Sequence, residues 1–225
     1  MSANSEVKVI SVVFNTFQND NRVLRSARVL GEMGFDVTVA ALAGDGLQLA
    51  GPELGVYVER MAISTSKLPR GKVFGFLKYA ERCFRFARRY RKAQVWHCND
   101  FNPFLAAILA KMMNRKLKIV YDCHEYQSEM YGKSAFERKA VRFFESRYIK
   151  RADVVITVST SIAEEYQRLY GLEKVHILMN VPDRSDAPKS NLLREALTID
   201  SSKRLFLYQG KLGADRGVRE LVEAF

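Results

Sequence analysis

Leu117-Lys118-Ile119-Val120-Tyr121-Asp122-Cys123-His124-Glu125 joins an apolar run to a cluster of titratable side chains. Its first four residues, apolar except for Lys118, predict a short buried strand. An Asp, a His and a Glu are crowded where that strand is expected to end, from Tyr121 onward. In open parallel α/β sheets, ligands sit in the crevice beyond the carboxyl ends of the strands, which makes these three side chains functional candidates. A plainer use of the same residues is also open at this level, with Asp122 satisfying loop amides and His124 packed as an ordinary ring.

Strand and helix patterns alternate on both sides of this stretch. Just upstream, Gln94–Trp96 predicts a short strand, followed by a loop, His97-Cys98-Asn99-Asp100-Phe101, and a helix Phe104–Met113 started by Asn102 and Pro103. At the beginning of the chain the β-branched run Val7–Val13 predicts a strand. A polar loop from Asn15 to Asn21 follows, then Val23, Ala27 and Leu30 at helical spacing. Gly34 ends that helix and Asp36–Ala40 opens a second strand, so the unit is βαβ. A glycine-rich loop runs from Gly44 to Gly55 and leads to a strand at Val56–Ile63. Downstream, Phe136–Ile149 reads as a basic and aromatic helix and Asp153–Val158 as a buried strand. Ser161-Ile162-Ala163-Glu164 has the spacing of a capping box for a helix that Gly171 closes, and Val175–Met179 is a last strand.

The expected fold is therefore α/β, a Rossmann-like parallel sheet flanked by helices, over residues 1–183. Residues 184–203 read as a linker and a short helix near Leu192–Leu197. From residue 204 on, one strand, Arg204–Gln209, and an unfinished helix from Gly217 cannot bury a core, and they read as the truncated start of a second domain.

Composition narrows the function. The chain has 225 residues, 48% of them apolar, enough for a sizeable core, and 36 Lys and Arg against 25 Asp and Glu give a net charge of +11, which predicts attraction to phosphates in some form. The first residues lack the basic-then-apolar order of a signal peptide and no apolar run has spanning length, so the expected location is cytoplasmic. The three cysteines, Cys83, Cys98 and Cys123, have no metal-ligand spacing and fit a reducing compartment. The first loop, Phe17-Gln18-Asn19-Asp20-Asn21-Arg22, lacks the glycines a dinucleotide site needs, which argues against an oxidoreductase; a helix cap is an equally open use of Asn19 or Asp20. Between Gly71 and Lys92, at about 100° per residue, Lys78, Arg82, Arg85, Arg89 and Lys92 share one stripe while Phe76, Ala80, Cys83, Ala87 and Tyr90 fall opposite. That is the pattern of an ordinary surface helix, or of a helix lying on an anionic membrane surface at the inner membrane face.

Four stretches, taken in order, carry a resemblance. They are Asn19-Asp20-Asn21-Arg22-Val23-Leu24-Arg25, Tyr121–Glu125, Arg151-Ala152-Asp153 leading to Val158-Ser159, and Tyr208-Gln209-Gly210-Lys211-Leu212 with Arg216-Gly217-Val218. With them the chain resembles the N-terminal domain, and the start of the C-terminal domain, of a family 4 glycosyltransferase of the GT-B fold. The resemblance implies a nucleotide-sugar donor held mainly by the C-terminal domain, a glycan or lipid-linked acceptor held by the N-terminal domain, and transfer with retention of configuration, without cofactor or required metal. It assigns His124 to the catalytic site against the transferred sugar, and Gly210, Lys211 and Arg216 to donor binding. Two cations at a strand end can offset the charge that develops on a leaving diphosphate. Asp20, Arg22, Asn99, Asp100, Glu125 and Tyr126 are the acceptor-side candidates. Two departures touch the loops: Asn19-Asp20 stands where many members carry a glycine pair, and Asn180-Val181-Pro182-Asp183 where Asn-Gly-Val-Asp is usual. The family's spaced glutamate pair is expected beyond Phe225, so the chain alone is expected to be inactive. Rival readings are a non-catalytic half of a split transferase and a basic module binding phosphate or nucleic acid. No nucleic-acid motif is present, and no nucleic-acid partner is expected.

Overall fold

A computed structural model describes residues 7–69, 71–129, 132–181, 186, 190–210, 212–213 and 216–225. The chain divides into two compact units, Met1–Asn180 and Val181–Phe225.

The first unit is built on an eight-stranded sheet in the order β3-β4-β2-β1-β5-β6-β7-β8. The strands are β1 (Lys8–Val12), β2 (Asp36–Leu42), β3 (Ala50–Glu53), β4 (Val56–Met61), β5 (Val95–Asn99), β6 (Lys118–Cys123), β7 (Val154–Thr157) and β8 (His176–Ile177). Every pair is parallel except β3 with β4, an antiparallel edge inside the glycine-rich stretch that sequence periodicity reads as loop. The helices are α1 (Asn21–Glu32), α2 (Lys72–Tyr90), α3 (Phe101–Met113), α4 (Ala135–Tyr148) and α5 (Thr160–Tyr170). The Rossmann-like architecture expected from the alternation is the one formed.

Two hydrophobic cores lie on the two faces of the sheet. On one, Ile10, Trp96, Ile119, Tyr121 and Val155 pack with Cys83 and Phe86 of α2, Phe104 of α3 and Tyr166 of α5. On the other, Val13, Val39, Ala41 and Val58 pack with Val23, Leu24 and Ala27 of α1. Local chemistry sets the helix ends. Asp20 caps α1 by accepting from the Val23 amide at 3.3 Å, and Ser134 with Glu137 makes a reciprocal box on α4. Gly171, in the left-handed region at φ 58°, closes α5. The cap that opens α5 is Ser159 rather than Ser161, since it is the Ser159 hydroxyl that accepts from Ile162.

Two expected boundaries are corrected, and both matter for the site. β5 runs on through His97, Cys98 and Asn99, and β6 through Tyr121, Asp122 and Cys123, so these polar residues belong to strands and not to loops. Their amides are taken up in the parallel ladder, where Cys98 faces Tyr121 and Asn99 faces Asp122. Alternation then sends Tyr121 to one face and Asp122 to the other.

The basic stripe of α2 is also placed differently. Lys78 donates to the Leu68 carbonyl at 2.7 Å, Arg85 pairs with Glu81 and Arg89 with Glu59, while Val73, Phe76, Leu77 and Phe84 are exposed. Phe76, assigned by the helical wheel to the core side, is 70% exposed because only the second half of α2, from Cys83 to Tyr90, reaches the sheet.

Among its described residues the second unit has two short helices, α6 (Leu192–Ala196) and α7 (Val218–Glu223). Arg204–Gln209, expected as a strand, belongs to no strand among the described residues, and its side chains are exposed.

Candidate functional site

At the carboxyl edge of the sheet a cleft of about 400 Å³ is lined by Asp20, Arg22, Asp100, His124, Glu125 and Asn180, among others. Asp122 is its foundation. The carboxylate is 0% exposed, accepts from Arg22 Nη2 at 2.6 Å and lies 3.3 Å from His97 Nε2. His124 Nε2 stands 3.6 Å from the same oxygen as His97, an ion-pair distance that is long for a hydrogen bond, and is itself shielded without a hydrogen-bond partner. Burial by itself would raise the Asp122 pKa. His124, His97 and Arg22 outweigh it and hold the carboxyl far below the usual carboxylate range.

Asp100 grips the loop from the other side. Its carboxylate accepts from the His124 amide at 3.1 Å and from Gln127 Nε2 at 3.0 Å, and its second oxygen lies 3.6 Å from His124 Nδ1. Asp100 adopts φ 77°, ψ 175°, a region essentially reserved for glycine, which for this residue stores on the order of 1–3 kcal/mol of strain. The surroundings over-determine it: its amide donates to the Asp122 carbonyl at 2.8 Å and Phe101 starts α3. The imidazole of His124 thus sits between two carboxylates. Burial would lower its pKa, but Asp122 and Asp100 prevail and raise it above the ordinary 6.5, which favours the charged form of the ring. The Asp100 carboxyl is raised, by burial first and then by the charges of Glu125 and Asp122 against the opposing pull of His124.

The first loop completes the wall. Phe17 and Asn19 are both at φ 58°, a left-handed conformation that curls the loop back so that Asn15 Nδ2 donates to Asp20 Oδ2 at 3.0 Å. Arg22 spans the site, its other nitrogen donating to the Leu178 carbonyl at 2.8 Å, and Arg25 donates to Asn180 at 2.6 Å.

The family model for glycosyltransferase family 4 matches residues 20–184, most of the first unit and the site from Asp20 onward. The chain belongs to glycosyltransferase family 4. Solved structures agree on the fold. A sucrose-phosphate synthase from Thermosynechococcus elongatus superposes with a TM-score of 0.69 at 14% identity, covering 97% of this chain and 59% of that one. A glycosyltransferase from Rickettsia africae gives 0.63 at 16%, covering 98% and 57%. HepE from Anabaena, solved in complex with UDP and glucose, gives 0.52 at 15%, covering 85% and 50%. The GT-B family resemblance therefore holds at the level of fold, and the chain spans 57–59% of the length of the first two relatives. No curated protein sequence matches.

Within this family 4 chain the predicted acceptor-side residues separate into two groups. Asp20, Arg22, Asp100 and Glu125 line the cleft together with His124. Asn99 and Tyr126 do not line it. Asn99 is buried against β1, donating to Ser11 Oγ at 3.0 Å and the Val12 carbonyl at 3.2 Å, and the Tyr126 hydroxyl reaches Glu165 at 3.3 Å. Of the donor-side residues, Gly210 and Arg216 belong to the second unit, while Lys211 lies outside the described residues. Sequence reasoning missed His97, Gln127 and the role of Asp122 as the hub. Period-2 alternation across Trp96, Cys98 and Tyr121 is the signal that reveals the two longer strands. Gln127 carries no such signal, since its contact with Asp100 depends on the turn at Gln127–Glu129. Among the described residues, no three His, Cys, Asp or Glu side chains are placed to hold a metal ion.

Proposed function

We propose that this chain is the acceptor-side half of a retaining glycosyltransferase, which takes a hexose from a nucleotide-sugar donor and gives it to a glycan or a lipid-linked acceptor without a metal. The observation that carries the reading is the ring of His124, clamped between Asp100 and Asp122 at the mouth of a cleft. A fixed imidazole at a strand end can, when protonated, offset charge in the transition state, while Glu125, Asp20 and Arg22 offer acceptors and a cation for the incoming hydroxyl compound. Gly210, Lys211 and Arg216 open the donor-binding half, so residues 1–225 alone are inactive on this reading. HepE, a relative in fold, was solved with UDP, and a uridine nucleotide is the first donor base to try.

The test is His124→Ala in the native protein, with donor turnover and thermal unfolding measured side by side. Turnover is expected to fall about a hundredfold or more at unchanged melting temperature, the usual scale for one well-placed polar group. A drop in activity only in step with lost stability makes His124 a structural residue.

The transfer is further proposed to take place with the protein peripheral to an anionic membrane at the cytoplasmic face. Support comes from Val73, Phe76, Leu77 and Phe84, which form one exposed apolar stripe on α2 flanked by exposed Lys72 and Arg88. In vesicle flotation, binding is expected to need anionic lipid, to weaken with salt and to be lost in Phe76→Ser with Phe84→Ser. Equal binding by that double variant or to neutral vesicles removes the membrane contact.

A further inference from the structure

Beyond the ends of β2 and β4 lies a second cleft, of about 410 Å³, lined by Asp45, Ser64, Ser66, Lys67, Arg82 and Arg85 together with apolar side chains such as Met61 and Ile63. It shares no lining residue with the His124 cleft. Asn15–Asp20, the loop that walls the His124 cleft, also borders this one: the Asn15 carbonyl accepts from Leu42, and Thr16 lies so close to Gly44 that a Cβ there would meet its methyl group at 2.9 Å.

The cations of α2 are not equally engaged, and of them only Arg82 and Arg85 line this cleft. Lys78, Arg85 and Arg89 are each engaged by the protein itself, with Leu68, Glu81 and Glu59. Arg82, on the same stripe, has no hydrogen-bond or ion-pair partner among the described residues, and its Nε is buried without an acceptor. Its guanidinium is therefore uncommitted among those residues, so a charge-assisted hydrogen bond to an anion in the cleft displaces no internal partner. Lys67 adds a second cation that no ion pair holds among the described residues.

The wall opposite is already in place. Glu81 accepts from the amides of Ser64 at 2.9 Å and Thr65 at 2.7 Å and from Arg85 at 3.0 Å. Those bonds outweigh desolvation and hold its pKa at about 2, so it stays charged and keeps the short turn Ser64–Lys67 docked on α2. Arg85 also donates to the Ser64 hydroxyl at 3.1 Å. A ligand therefore meets a preformed polar wall and loses little in ordering it.

We propose that this cleft is a binding site for a phosphate group, with Arg82 as its principal ligand and Lys67 and Ser66 as supporting donors. Asp45 is the single carboxylate in the lining. It repels the anion and accepts hydrogen bonds from hydroxyl groups, so the phosphate comes either free or as the charged end of a small hydroxylated molecule such as a sugar phosphate. The volume suits a ligand of that size. The site stands apart from the transferase reading because its occupancy is read by binding and not by turnover.

The experiment is titration calorimetry of the full chain at constant ionic strength with inorganic phosphate, glucose 6-phosphate and neutral glucose. Both phosphates are expected to bind and glucose not. Glucose 6-phosphate binding more tightly than inorganic phosphate assigns the site to a sugar phosphate, and equal affinity assigns it to the free anion. Arg82→Gln should weaken binding at least tenfold, and Lys67→Gln severalfold. Asp45→Asn, on the loop after β2, should tighten it, an opposite sign that a merely unfolded variant cannot mimic. His124→Ala should change nothing. Wild-type affinity in Arg82→Gln, no gain in Asp45→Asn, loss of binding in His124→Ala, or no phosphate binding at all overturns the proposal.

Discussion

Tyr121 and Asp122 are neighbours on β6, yet their side chains leave the sheet on opposite faces and end in two buried carboxylate clusters of opposite kind. On the α1 face, Asp122 is surrounded by Arg22, His97 and His124 and keeps its charge. On the other face, Glu145 of α4 accepts from three tyrosine hydroxyls, Tyr121 at 2.8 Å, Tyr166 at 3.0 Å and Tyr170 at 2.6 Å. Both carboxylates are 0% exposed. Burial raises the Glu145 pKa above the ordinary 4.5, and hydrogen bonds from neutral phenols do not offset it, whereas around Asp122 the charged neighbours reverse the outcome. Burial alone does not set the state of a carboxylate; the charge of its partners does. The ionised one borders a cleft, and the one among phenols ties α4 and α5 to the sheet.

The comparison breaks most visibly if Asp122→Ala is mild. Removing the carboxylate leaves the Arg22 guanidinium, 7% exposed, without its counter-charge, and urea unfolding is expected to show a loss of about 3–5 kcal/mol. A loss below about 1 kcal/mol would mean that Arg22 swings out to water and that the site is less rigid than its geometry.

Glu145→Ala tests the other cluster. Three buried hydroxyls lose their acceptor and a small cavity opens, for an expected loss of about 2–4 kcal/mol, while turnover per folded molecule in the native protein stays unchanged. Turnover lost by a folded Glu145→Ala protein would tie the tyrosine cluster to the chemistry and erase the distinction drawn between the two faces.

The smallest effect is a pH dependence. His124 has a folded pKa above its ordinary 6.5, so its stabilising contribution is complete below that value and is lost as pH rises through the raised folded value. The stability difference between wild type and His124→Gln should therefore be largest in mild acid and shrink on the alkaline side. A difference constant from pH 6 to 9 would show that the two carboxylates do not hold the ring in its charged form.

Much of this architecture was legible in the residues. Alternating strand and helix patterns from Val7 to Met179 specify the parallel α/β sheet, and Gly34 and Gly171 stop helices where local backbone chemistry requires. His124 and its acidic neighbours stood out because crowded titratable groups at a strand end are uncommon in a plain loop. The parts that were not legible depend on pairing across the sheet. β3 is an edge strand containing Gly51 and Pro52, which propensity assigns to a turn and which the ladder with β4 overrides. The N-terminal half of α2 presents Phe76 to solvent because helical periodicity reports the angle around an axis and not how far the sheet extends beneath it.

By itself, then, the sequence determined the order and type of the elements and the neighbourhood of the site, since those follow from local periodicity and capping. Tertiary structure alone decided that Asp122 is the hub. Its partners Arg22 and His97 lie 100 and 25 residues away, and parallel register, together with the length of β5 and β6, brings them to one point. Side-chain alternation then sent Asp122 to the cleft face and Tyr121 to Glu145, so neighbours in the chain serve different ends because the pleat separates them by a full sheet thickness.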